Sequence, residues 1–190
     1  MSKESNWQIE LSGDINKALD QMAALGKLVW DGFHQPSTAV VIELMNETKY
    51  TLHHVGNYRW QGNFKEPTDG LQPGHGRVWG MESKGLDGSF GAVIYQLWNG
   101  DTELKAYLVI GNLVYFDGAQ PHYTALLTEI NQYTEGKPRT LNLLNDGKSS
   151  AWTQAYPDIA GLSLTIKADI WTETINARAE NFRVQLTATP

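Results

Sequence analysis

The chain contains no cysteine in 190 residues. A disulfide framework and thiol chemistry are therefore excluded, and neither redox compartment is implied. No stretch approaches the roughly 18 consecutive apolar residues of a membrane-spanning helix. The N-terminal MSKESNWQIELSGD has no apolar run of the kind found in a secretory leader, so no signal peptide is visible and the protein is expected to be soluble as made. Basic charge is scarce as well: with a net charge of −6 and a pI near 5.3, nucleic acid and strongly anionic lipid are poor partners. No internal repeat, low-complexity tract or linker divides residues 1–190, which read as one domain.

Familiar catalytic patterns are missing too. There is no HExxH, GxSxG, Walker loop or GxGxxG after a strand. His53 and His54 are adjacent on a predicted strand and point to opposite faces, and His34, His75 and His122 stand in turn-rich segments without ligand spacing. Carboxylates are scattered, and although a fold can bring any two together, nothing in their spacing points to a pair. The expectation is a protein that is not an enzyme, with no catalytic residue, metal or cofactor.

What is present is apolar and aromatic. A hydrophobic content of 41% with 11% aromatics marks a folded globular chain rather than a disordered one. Trp7, Ile9 and Leu11 alternate with polar residues as a short strand does. The capping chemistry of Ser12-Gly13-Asp14 then opens an amphipathic helix over 14–33, whose apolar face carries Ile15, Leu19, Met22, Gly26, Val29 and Phe33, widened by Ala18 and Leu25. Strands follow at AVVIELM (39–45), YTLHHVGNY (50–58) and GRVWGMES (76–83), with LVYF (113–116) as a further candidate.

GSFGAVIYQLWNGDTELKAYLVI (88–110) reads as a hairpin turning at Asn99-Gly100. That turn sets Leu97 opposite Thr102, Tyr95 opposite Leu104, Val93 opposite Ala106 and Gly91 opposite Leu108 on a core face. The outer face pairs Gln96 with Glu103 and Ile94 with Lys105 near the turn, then Ala92 with Tyr107 and Phe90 with Val109 beyond it. Its far half is too apolar to face water, so a helix is expected to cover it. The spacing of Tyr123, Leu126, Leu127 and Ile130 predicts that second helix, stopped at Gly136. RTLNLL, LSLTIKADI and NFRVQLT read as late strands. Together these elements predict a mainly β fold, a β-sandwich flanked by two α-helices.

The order of pieces resembles the actinoporins, sea-anemone-type pore-forming cytolysins whose wider relatives include fungal fruit-body lectins of the same fold. The residues that carry the likeness are the N-terminal strand, the helix ending Leu25-Gly26-Lys27, Asn46-Glu47 at a strand end, Asn57-Tyr58-Arg59-Trp60-Gln61-Gly62, Gly91-Ala92-Val93 and the tight hairpin. They cover about two-thirds of the chain. The resemblance implies a lipid-binding toxin that docks on target-cell membranes, oligomerises there and inserts its N-terminal helix. As a continuous helix, Asp14 to Phe33 would reach about 30 Å, close to the thickness of a bilayer's hydrocarbon core.

It also implies an aromatic site for phosphocholine headgroups. Tyr58 and Trp60 stand where the family has a Tyr-Phe-Arg-Ser-Gly segment, and Tyr115, Phe116, Tyr123 and Tyr133 fall in the stretches that supply its aromatic cluster. Trp98, beside the turn, either offers an exposed ring or folds back over its own hairpin. For Tyr123, on the apolar face of its predicted helix, the core reading is the stronger one. FDGAQPH replaces the family's Trp-Tyr-Ser-Asn-Trp loop, and the Arg-Gly-Asp segment is absent. Two other readings stay open: a soluble lectin binding glycan on Tyr and Trp platforms, and a protein-interaction domain.

Overall fold

The structure is a computed structural model that describes residues 8–11, 13–33, 38–65, 69–84, 88–115, 117, 119–172 and 179–189. Trp7, His34 and Phe116 lie outside them. Two sheets face each other. The larger runs in the order β1 (Gln8–Glu10), β5 (His75–Ser83), β2 (Thr38–Glu47), β11 (Ala179–Ala188), β10 (Leu162–Thr172) and β9 (Trp152–Ile159), with β4 (Asn63–Lys65) also paired to β5. The smaller runs β3 (Thr51–Gln61), β6 (Ser89–Asn99), β7 (Thr102–Val114) and β8 (His122–Thr128). β2 and β11 run parallel and the other pairs antiparallel. This is the mainly β sandwich that the alternation predicts.

Alternate residues of each strand build the core. Val40, Ile42 and Leu44 of β2 meet Val93, Tyr95 and Leu97 of β6 and Leu108 and Ile110 of β7, around the buried Trp79 and Phe182. Ala39, Val41 and Met45 point the other way, beneath α1 (Ile15–Asp31). A strand buried on both faces needs no polar side, which is why AVVIELM is nearly continuous in apolar residues.

α1 starts where Asp14 accepts the Asn16 N–H at 2.9 Å and stops at Gly32, so it spans 17 residues rather than the 20 expected. Its length is about 25 Å at the usual helical rise, and among the described residues no helix is long and apolar enough to cross a membrane. Ala18, Met22, Gly26 and Val29 form its buried stripe. The sheet makes room for them with glycine: a Cβ on Gly76 would stand 2.6 Å from Met22 Sδ, and one on Gly80 2.6 Å from Val29 Cγ1. Phe33 is buried just past the helix end and Leu19 is half-buried, whereas Ile15 is exposed.

Several expectations are corrected. Tyr123, Leu126 and Leu127 belong to strand β8, not to a helix. Tyr123, Ala125 and Leu127 enter the main core while Leu126 packs outward on Ile94, Tyr107 and Val109, and two covered faces remove the alternation that marks a strand. The helices come later, as α2 (Gln132–Glu135) and α3 (Lys137–Asn145), and α3 contains the RTLNLL read as a strand. LVYF is no separate strand, since Leu113 and Val114 end β7. The hairpin turns around Gly100-Asp101, pairing Asn99 with Thr102, and a bulge between Gln96 and Trp98 sets Tyr95 opposite Leu108 and Val93 opposite Ile110. Both displacements are even-numbered, so the core face keeps its residues although the partners change.

Candidate functional site

β3 is an edge strand of the smaller sheet, and two bulges shape it. Val55 and Trp60 are the extra residues, between His54 and Gly56 and between Arg59 and Gln61. The bulges bring Val55, Tyr58 and Trp60 onto the outer face, where Tyr58 joins Ile94, Tyr107 and Val109, and Trp60 joins Ala92, Leu113 and Leu144. Outside them stands α2, whose Asn131 cap accepts the Tyr133 N–H at 3.0 Å.

The result is an aromatic ledge. Tyr133 stacks on Tyr58 with centroids 5.2 Å apart and planes at 25°, and Tyr58 tilts against Trp60 at 5.6 Å. The Tyr58 hydroxyl donates to the Tyr133 carbonyl at 2.6 Å, fixing the short helix to the strand. Burial, then the neighbouring Tyr133, pushes the Tyr58 phenol above its ordinary pKa. Gly56 is the floor: a Cβ there would stand 2.4 Å from the Tyr133 ring. Tyr133 remains 43% exposed and Ile130 39%. Because the Tyr58 and Tyr133 rings lie on each other, a cationic group meets the outer surface of the stack instead of entering between the rings.

Beside the ledge, Lys137 Nζ donates to the Arg59 carbonyl at 3.3 Å, and Arg59 Nη1 donates to Asn63 Oδ1 at 2.7 Å. Asn57, Arg59, Asn63, Phe64 and Lys137 line an open groove of ≈ 420 Å³. Spacing alone did not single out Lys137, because it reaches Arg59 across 78 positions of sequence.

The other sequence-selected residues are dispersed. Tyr115 sits edge-on to Phe90 at 5.0 Å and shares the Leu141–Leu144 cluster with Trp60. Trp98 neither stands fully exposed nor packs over its own hairpin: it is half-buried and stacks on His53 of the neighbouring strand β3 at 4.5 Å, at the far end of the sheet. Tyr123 is fully buried against Phe182, with its phenol pushed well up by burial and by Glu180, and offers no surface. His53 and His54 diverge, His53 to Trp98 outside and His54 to the core residue Tyr95.

No family model matches the sequence, and no curated protein matches it. Among solved structures, the fold is similar to the lipid binding protein Nakanori, with a TM-score of 0.68 and 15% identity over 91% of this chain and 80% of that one. RahU protein in complex with a Tris molecule and IP-1A from Alcaligenes faecalis are much looser likenesses, with TM-scores of 0.44 and 0.40 at 8% and 10% identity. The architecture is a mainly β sandwich with helices on its outer faces, consistent with the actinoporin-like fold.

Proposed function

We propose that this chain is a non-enzymatic lipid-binding protein that docks on membranes through the Tyr58–Trp60–Tyr133 ledge. The observation that carries the reading is the ledge itself: three aromatic rings, of which Tyr133 is exposed and Tyr58 and Trp60 are half-buried, packed on an edge strand with Arg59 and Lys137 alongside. Similarity in fold to a protein described as lipid binding supports it. A phosphocholine headgroup suits this chemistry. Its quaternary ammonium gains roughly 0.5–2 kcal/mol over an aromatic face, and its phosphate suits the two nearby cations.

In the fuller proposal the protein is a cytolysin, released to act at a target-cell membrane, where it self-associates and inserts its N-terminal helix into a pore. α1 as docked is about 25 Å long, so spanning requires the helix to extend through Asp14 at one end and Gly32-Phe33 at the other. Flotation with vesicles of phosphatidylcholine, alone or with sphingomyelin, tests the docking step. Wild-type protein should float, and Tyr133→Ala should lose about tenfold in affinity while keeping its fold by circular dichroism. Equal flotation of wild type and Tyr133→Ala would remove the ledge from the reading, and no flotation on either vesicle would remove phosphocholine lipid.

A further inference from the structure

On the opposite side of the sandwich, α1 lies across a face that is apolar except for one strip. Ala39, Val41 and Met45 of β2 and Val78 of β5 pack beneath its buried stripe. Between Val41 and Met45 on that same face stands Glu43, 1% exposed and directly under the helix: a Cβ on Gly26 would stand 3.4 Å from its Oε1. Arg183 of β11 is opposite Glu43, and Asn181, two residues earlier, is opposite Val41 and reaches Trp30 of the helix.

Polar bonds hold the strip together. Arg183 Nε donates to the Glu43 carboxylate at 2.6 Å, and the guanidinium lies over the Trp171 ring at 5.0 Å. Asp169, on the far side of Arg183, pairs with Lys167 at 3.3 Å, so Glu43 is the carboxylate that Arg183 serves. Asn181 is 3% exposed; its Oδ1 accepts the Trp30 indole N–H at 3.3 Å, and its Nδ2 is buried with no partner among the described residues. A buried donor without an acceptor is uncommon in a native fold and calls for an explanation.

We infer that the Glu43–Arg183–Asn181 strip works against the docking of α1 and so keeps the helix releasable. A buried ion pair is often no better for stability than two apolar side chains of the same size, because both charges lose their water. The Asn181 Nδ2 donor goes unsatisfied beneath the helix and regains a water partner once the helix lifts. Apolar burial along Ala18, Met22 and Val29 holds α1 down, and the strip beneath Gly26 and Trp30 subtracts from that hold. A helix that has to leave accounts for an unpaired amide that a permanently packed interface would have no reason to keep. The use of release in membrane insertion rests on the cytolysin reading above; the effect of the strip on docking does not.

The test is hydrogen exchange of the full-length protein in buffer without vesicles, on two double variants that make the strip apolar. Glu43→Met with Arg183→Met removes both charges together, and its α1 amides should exchange about tenfold more slowly than those of wild type. Trp30→Phe with Asn181→Leu removes the hydrogen bond and the orphan donor together, and its α1 amides should exchange about tenfold more slowly than those of Trp30→Phe alone. Unchanged protection in β6 and β7 shows that each variant keeps the sandwich, and either pair is sufficient if the other fails to fold. Exchange in α1 that is as fast as in the reference protein, or faster, in the folded variants would overturn the inference. Dye release from vesicles of phosphatidylcholine and sphingomyelin should fall in the same variants. Slower exchange in the variants with no leakage from wild type would uphold the strip's effect on docking and remove the cytolysin reading, so the two are judged separately.

Discussion

The two outer faces of the sandwich carry their helices in different ways. α2 and α3 are stitched to the smaller sheet by polar bonds: Tyr58 to the Tyr133 carbonyl at 2.6 Å, Lys137 to the Arg59 carbonyl at 3.3 Å and Thr124 to the Leu143 carbonyl at 3.1 Å. Beyond α3, Lys148 and Tyr123 exchange backbone bonds at 2.8 Å in both directions. α1 rests on the larger sheet chiefly by burial of its Ala18–Met22–Gly26–Val29 stripe. Among the described residues, its side-chain hydrogen bond to the sandwich is Trp30 to Asn181. Hydrophobic contact is non-directional and transferable to another apolar environment, whereas a fixed hydrogen-bond pattern is not. On the proposed function, the stitched face would present a rigid surface, and the other would hold a helix whose apolar stripe could be exchanged for lipid.

The largest expected effect comes from Met22→Ala. Removing this fully buried side chain should cost about 2–5 kcal/mol, and hydrogen exchange should show the loss in α1 amides with α2 and α3 unaffected. Equal loss over both covers would make them one cooperative unit and erase the distinction. Gly56→Ala acts on the other face: its Cβ would enter the Tyr133 ring, so a cost of about 1–3 kcal/mol is expected, with vesicle flotation lost and α1 exchange unchanged.

Trp30→Phe removes the tie to Asn181 and should destabilise α1 docking by about 1 kcal/mol, seen as faster α1 exchange. The smallest effect concerns His54, whose pKa is lowered by burial and by Arg77 against the opposing influence of Asp69 and the Gly56 backbone. The folded state therefore holds the proton less tightly than the unfolded one. Stability should be full above the ordinary histidine value of 6.5, fall as pH drops through it, and level off below the folded-state value. Urea titrations of His54→Gln should lack that step while α1 and the ledge keep their exchange rates.

Legibility in the sequence followed how many faces of an element are covered. α1 has one covered face, and its stripe and cap were readable except that Gly32 ends it before Phe33. β8 has two covered faces, so Tyr123, Leu126 and Leu127 matched helical spacing although the backbone is extended. In α3, a short segment opened by Pro138 buries Leu141 and Leu144 against Gly111 and Leu113, contacts that local composition cannot announce. The hairpin's face assignment survived because its bulge shifts register by an even number, and its apolar far half is indeed covered by a helix, α3 rather than the segment expected. Tyr58 and Trp60 were selected through resemblance. Their meeting with Tyr133 depends on bulges at Val55 and Trp60 that no local pattern encodes.

The most direct measurement is hydrogen exchange on vesicles of phosphatidylcholine and sphingomyelin, with dye release followed in the same sample. The expected result is leakage accompanied by new protection around Tyr58 and Tyr133 and by loss of the exchange pattern that α1 has when docked on β5 and β2. Leakage with α1 still protected as in solution, or binding with no change at Tyr58 and Tyr133, would contradict the division between an anchoring face and a releasable one.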